Sequence, residues 1–482
     1  MGASGDAGAK GGGAPAAGPP QMAASQRPAQ MAAPQRPAQM AAPQRPPQMV
    51  VRPPGPASRA WAQRASAVES PAFDARREAR QQASGAEQGP IVYAEARGVN
   101  VLDVDGNCYV DLTAGFGAQL LGHGAEGPAR ALQAQAGRLW QALGDVYPAD
   151  VKVALLERLA ALYPEPGARV LLGQSGADAI TAAMKTALLA TGRPGVVAFE
   201  GSYHGLSYAP LAASGLRASY REPFREQLSG RVRFVPFPRW GGGDAEESLE
   251  AVKAALAPGD VGLVLVEPVL GRGGCVPAPK GFLAELVGVA RAAGALTAFD
   301  EIWTGLGRSG AWLLGPAEGA LPDLVCLGKG LGGGLPLSAC VGRNGVMAAW
   351  AKGPGEVVHT ATFHGAPLAC ATALAVLDEI EAGKLVERSA RVGAWLRSWV
   401  ERCQLPGVRD VRGRGLMVGV ELAGAAEALA VSRALLAEGY IVLTGGTRGE
   451  TLTLTPPLVI DEPLLVGFVE ALGRALGQGG GA

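Results

Sequence analysis

The strongest constraint on this chain is a pair of apolar runs, each ending in an ionisable residue and then a loop of small ones: Ala295-Leu-Thr-Ala-Phe-Asp300 and Leu324-Val-Cys-Leu-Gly328-Lys329-Gly330. Short apolar runs bounded by glycine read as buried strands. Parallel neighbours in an α/β sheet send their carboxyl ends to one edge, where such sheets bind ligands. An acid and an amine would then share a cleft. Lysine is among the least buried residues, so its place directly after an apolar run needs a reason. The residues alone leave three readings open: a phosphate cradle, a desolvated amine able to form a Schiff base, or an ordinary surface loop. The spacing of a nucleotide P-loop, with Lys-Ser/Thr at its end, is absent.

The run from Asp300 through Glu-Ile-Trp-Thr-Gly-Leu-Gly-Arg-Ser to Gly310, followed by the Gly-Lys-Gly loop, resembles the signature of the class III pyridoxal-phosphate aminotransferases. Further motifs fall in that family's order between about residues 91 and 472. The resemblance implies an α/β fold of fold-type I, with a mostly parallel seven-stranded sheet between helices in a large domain and a smaller α+β C-terminal domain. It implies that Lys329 holds pyridoxal 5'-phosphate and then acts as general base and acid, and that Asp300 pairs with the pyridine nitrogen. The expected reaction is ping-pong transfer of an amino group from an amine or ω-amino acid to a keto acid or aldehyde. An aminomutase and a non-catalytic cofactor-binding protein are the alternatives; a mutase needs no separate acceptor.

Other motifs complete this expected site. Ser175-Gly176-Ala177-Asp178 is a small-residue turn opening a helix, whose free amides suit an anion. In the resemblance it grips the cofactor phosphate. Tyr203, at the end of a strand, is the expected ring cover, with His204 behind it. Thr362 is expected to reach the phosphate of a partner subunit, which entails a homodimer. Three positions depart from the family. Trp303 replaces a frequent Gln, Arg272 stands where Glu is common, and Thr453 stands where a carboxylate-gripping arginine is expected. Arg272 is the expected substitute for that arginine, acting from the opposite wall. His123 is expected to be structural.

Lys plus Arg and Asp plus Glu both total 43, so no electrostatic case for nucleic acid or an anionic membrane arises. No apolar run approaches the length of a membrane span, and the amino terminus lacks a secretory pattern, so a cytoplasmic location is expected. The six cysteines are scattered and suggest neither a disulfide framework nor a metal site. Residues 1–88, with nine-residue repeats starting at Gln21, Gln30 and Gln39, read as a disordered Pro/Ala/Gln-rich tail, save for a possible short helix within 60–82. Residues 89–140 are expected to form a meander and helix, 141–370 the large cofactor-binding domain, and 371–482 the small domain.

Overall fold

A computed structural model describes residues 44–477 except 240, 242, 353 and 354. Seven strands form the central sheet, in the order Arg169–Gly173, Ser338–Gly342, Leu324–Leu327, Leu296–Asp300, Val261–Val266, Gly195–Phe199, Val232–Val235. Only Ser338–Gly342 runs antiparallel to its neighbours. Helices cover both faces, so strands such as Val261–Val266 are apolar throughout and buried at every residue. Helix Gly176–Thr191 packs on one face and helix Phe282–Ala292 on the other. The seven-stranded, mostly parallel sheet is the one expected from the sequence.

A second sheet, antiparallel, takes the order Asp410–Arg414, Met417–Glu421, Thr451–Leu454, Leu443–Gly445. Fully buried Arg308 links it to the central sheet by donating from Nη1 to the carbonyls of Leu416, at 2.8 Å, and Pro456. A third sheet is a short meander joined by a strand from late in the chain. Strands Tyr93–Arg97, Asn100–Asp103 and Cys108–Asp111 pair antiparallel, and Tyr440–Ile441 adds to the last in parallel. At its turn, Asp103 Oδ1 accepts from the amides of Asp105 and Asn107, at 3.0 and 2.9 Å, as an Asx-type turn does.

The expected disordered tail is corrected over residues 44–88; residues 1–43, which carry most of the repeats, lie outside the described residues. Helices Pro56–Ser66 and Ala72–Ser84 form instead. The segment is held by polar bonds to distant chain, which a composition argument does not register. Gln48 exchanges both backbone bonds with Cys108 at 2.8 Å, and Asn107 Oδ1 accepts from the amides of Val50 and Val51. Asp105 supplies the cap that Gly55 lacks: its carboxylate accepts from Ala57 N at 2.7 Å and Ser58 N at 2.9 Å. Asp105→Ala is expected to lower unfolding free energy by about 1–2 kcal/mol, because two amides lose one charged acceptor. It should also open the 44–88 segment to limited proteolysis; an unchanged denaturation midpoint would contradict the capping role.

Candidate active site

Asp300 and Lys329 leave the sheet side by side. In the parallel pairing Asp300 lies opposite Cys326, three residues before Lys329. Asp300 is buried, and its Oδ2 lies 2.8 Å from Nδ1 of buried His204. Its Oδ1 accepts from Ile302 N at 3.1 Å, so the carboxylate is fixed at both oxygens. Glu301 turns the other way. Its oxygens accept from the amides of Leu314, at 2.7 Å, and Gly315, at 2.9 Å, and burial lifts its pKa to about 7. Of two neighbouring acids, one faces the cleft and one fixes the loop after it.

Lys329 opens a short turn, Lys329–Gly332, at φ 43°. A left-handed lysine costs on the order of 1 kcal/mol, a strain that clusters at functional sites. Its Nζ sits 3.9 Å from the centroid of the Trp303 ring. Burial lowers the lysine pKa to about 8, although Asp300 and Glu267 pull it back up. Trp303 is clamped: a Cβ on Gly117 would come within 2.3 Å of its Nε1, and one on Gly271 within 2.4 Å of its Cε3. That Nε1 is buried without a hydrogen-bond partner among the described residues.

The remaining expected residues close around this pair, with one exception. Ser175 caps helix Gly176–Thr191 through a reciprocal bond with Asp178, leaving the Gly176 and Ala177 amides without an intrahelical acceptor. A Cβ on Gly176 would meet Ile302 Cδ1 at 2.8 Å, and one on Gly205 would meet Ala177 Cβ at 2.9 Å, so the turn lies between the Asp300 and His204 loops. Tyr203 is partly buried, and the Arg272 guanidinium carbon stands 4.7 Å from its ring centroid. No carboxylate pairs with Arg272 among the described residues. Thr453 is buried inside the second sheet, its hydroxyl facing Gly445. Thr362 stands apart: it is exposed, and its carbonyl accepts from Gln141. His123 pairs with buried Asp111 at 2.9 Å, a fixture of the meander.

Glu267 received no role from sequence reasoning. It is buried, its Oε1 accepts from Tyr203 N at 2.7 Å, and its Oε2 accepts from Gly271 N at 3.0 Å. One carboxylate therefore sets the Tyr203 loop and one jaw of the Trp303 clamp. Burial raises its pKa to about 7, with His204 pulling down and Asp300 pushing up. Its signal was available: like Asp300, it is a lone acid at the end of an apolar run.

The Aminotransferase class-III family model matches residues 81–476. The chain belongs to the class III aminotransferases. Acetylornithine aminotransferase of Methanosarcina mazei is 35% identical over 386 residues, covering 80% of this chain and 92% of that protein. An amine transaminase from an uncultivated Pseudomonas species, solved with pyridoxal phosphate bound, superposes with TM-score 0.75 at 27% identity, covering 81% of this chain and 95% of that one. An (S)-enantioselective ω-transaminase from Thermomicrobium roseum gives TM-score 0.78 at 26% identity, covering 87% and 98%. This class III aminotransferase is an enzyme of pyridoxal-phosphate-dependent transamination, and its residues fit that cofactor. The fit rests on a helix start with two free amides, a fixed buried carboxylate, and an amine of lowered pKa at the end of the next strand.

In cofactor-free protein, trinitrobenzenesulfonate labelling of Lys329 should rise with pH about a midpoint near about 8, where the neutral amine becomes the main form, not near the ordinary 10.5. Asp300→Asn removes a charge that holds the amine protonated and should move the midpoint lower. Peptide mass analysis across a pH series reads both; a midpoint at the ordinary value contradicts the desolvation argument.

Proposed function

We propose that the chain moves an amino group from an ω-amino acid or simple amine to a keto acid or aldehyde, with Lys329 and Asp300 as its catalytic pair. The observation that carries this reading is the emergence of Lys329 from the strand paired with that of Asp300, whose carboxylate lies 2.8 Å from His204 and acts on the charge of the buried amine. When bound, pyridoxal phosphate supplies an electron sink for charge developing on the amine-bearing carbon. The Gly176 and Ala177 amides would receive its phosphate at the positive end of a 16-residue helix, and Tyr203 would lie against its ring. The Asp300 carboxylate, fixed by His204 and Ile302 N, would pair with the ring nitrogen and favour its protonated form. Lys329 Nζ would hold the cofactor and, once freed, would accept the proton from the donor's amine-bearing carbon and later donate it, a task suited to an amine of pKa about 8. The donor leaves as a carbonyl compound before the acceptor enters, so kinetics are ping-pong.

Arg272 is the proposed grip for an acceptor carboxylate. It has no acid partner among the described residues, whereas buried, uncharged Thr453 offers nothing in its place. The homodimer belongs to the same proposal. Exposed apolar side chains gather on two segments, among them Trp140 at 67%, Tyr147 at 69% and Phe363 at 58% exposure. Gln141 Nε2 donates to Thr362 O, tying these segments into one patch of the kind that marks a protein interface. Thr362 sits on that patch, where it is suited to reach a partner's phosphate.

A panel of amines offered to the purified enzyme, followed by conversion of the pyridoxal to the pyridoxamine absorbance, tests the donor class. Lys329→Ala should abolish both conversion and the imine band. Arg272→Ala should raise KM for keto acids about ten-fold, the size of one lost charge-assisted bond, with little change for aldehydes. Equal KM values for wild type and variant would remove Arg272 from the site.

A further inference from the structure

A groove of about 380 Å³ lies away from the Lys329 cluster, between helix Ala72–Ser84 and helix Ala425–Ala437. Its lining includes Arg76, Arg80 and Arg433 together with the exposed rings of Phe73, Tyr93 and Phe116. Of the nearby acids, Asp74 pairs with Arg77 at 2.6 Å and Glu87 with Arg59 at 3.1 Å; Glu78, on the same helix, is exposed, and Glu87 also acts at longer range on Arg433. Arg80 donates only to a hydroxyl, Thr444 Oγ1, at 3.0 Å. No carboxylate pairs with Arg76, Arg80 or Arg433 among the described residues. Burial first, and then the charges of Arg76 and Arg433, lower the pKa of Arg80, so these cations are held close together at an electrostatic cost. Burial lowers Arg433 as well.

Two features join this groove to the site. Phe116 holds φ 61° and is 61% exposed, an outlier for a bulky residue, and it immediately precedes the Gly117 jaw on Trp303. On the other side, Thr444 precedes Gly445 and Gly446, and the Gly446 amide donates to the Arg272 carbonyl at 2.9 Å. A chain of contacts thus runs from Arg80 through Thr444 to Arg272 and Tyr203. The groove combines half-buried Arg80 and Arg433 with exposed aromatic rings, and its size suits part of a small ligand.

We propose that this groove binds the anionic far end, carboxylate or phosphate, of an elongated amine or carbonyl substrate whose reacting end lies at Lys329. The proposal rests on the transaminase reading above and deepens it. It assigns a catalytic-site extension to the N-terminal helices, since Arg76 and Arg80 lie on helix Ala72–Ser84.

The test uses the full-length enzyme loaded with pyridoxal phosphate. Straight-chain amines ending in carboxylate or phosphonate are compared with alkylamines of equal length, with pyruvate as acceptor. Among long chains, the anionic donors should show kcat/KM about ten-fold higher, as one charge-assisted contact provides, and Arg80→Gln/Arg433→Gln should erase that ratio of anionic donor to alkylamine, whatever the variant's absolute turnover. Whichever anion gains more identifies the source. Calorimetric titration with octanoate, octyl phosphate and octan-1-ol gives a readout independent of turnover: the two anions should bind more tightly than the alcohol, and less so in high salt or in the variant. Should the double variant fail to fold, Arg76→Gln, on an exposed helix face, replaces it with a several-fold loss expected. Anion binding without turnover of any amine leaves the groove standing and sinks the transaminase donor reading. Turnover with no advantage for anionic donors, or an advantage kept in the variants, overturns the groove.

Discussion

The register that sets Asp300 opposite Cys326 governs the whole site. Strand side chains alternate between faces, so a slip of one residue would turn Asp300 away and bring Glu301 inward. The adjacent backbone bond, Glu301 N to Cys326 O at 2.9 Å, extends the same register past the last paired residue. Glu301 is then committed to the amides of Leu314 and Gly315, which makes the alternative doubly unfavourable. Because the strands are parallel, the lysine loop emerges beside the carboxylate without any long-range loop having to find it. The remaining groups only tune this pair: burial lowers the amine, while Asp300 and Glu267 oppose it and lose.

Around that pair, size is controlled as tightly as charge. Trp303 lies between two glycines that leave no room for a methyl group, and its indole nitrogen finds no acceptor. The ring therefore presents a flat, mostly apolar wall to Lys329, in place of a polar side chain. Glu267 connects the wall to the cover, since one oxygen serves the Gly271 amide and the other serves Tyr203. Arg308 ties the same loop to the second sheet through main-chain carbonyls, and burial lowers its pKa to about 9.

Asp300 and Lys329 were legible because an ionisable residue closing an apolar run is rare enough to notice. Ser175 and Asp178 were legible for a local reason, the spacing of a helix cap. Glu267 ended its strand in the same way, yet its meaning depends on Tyr203 and Asp300, which come from other strands. The N-terminal segment was misread for the opposite reason. Its local content is poor in apolar residues, and its order comes from Asp105, Asn107 and Cys108, some fifty positions away. Arg80 and Arg433 lie far apart in sequence, so their meeting is a product of the tertiary fold. The role proposed for Thr362 would draw on a second chain, and one chain's fold leaves that residue exposed and apart.

Similarity to the family begins at residue 81, which falls inside the helix Ala72–Ser84. The stretch that the family model matches is therefore shorter than the body that folds. A protein trimmed to the shared stretch would begin in mid-helix, would lose the segment that pairs with Cys108, and would keep only a fragment of one wall of the arginine groove. The N-terminal helices are thus joined to the rest of the fold by Asp105 and Asn107, two side chains of one turn, so a protein trimmed at residue 81 would keep both acceptors and lose every amide they hold.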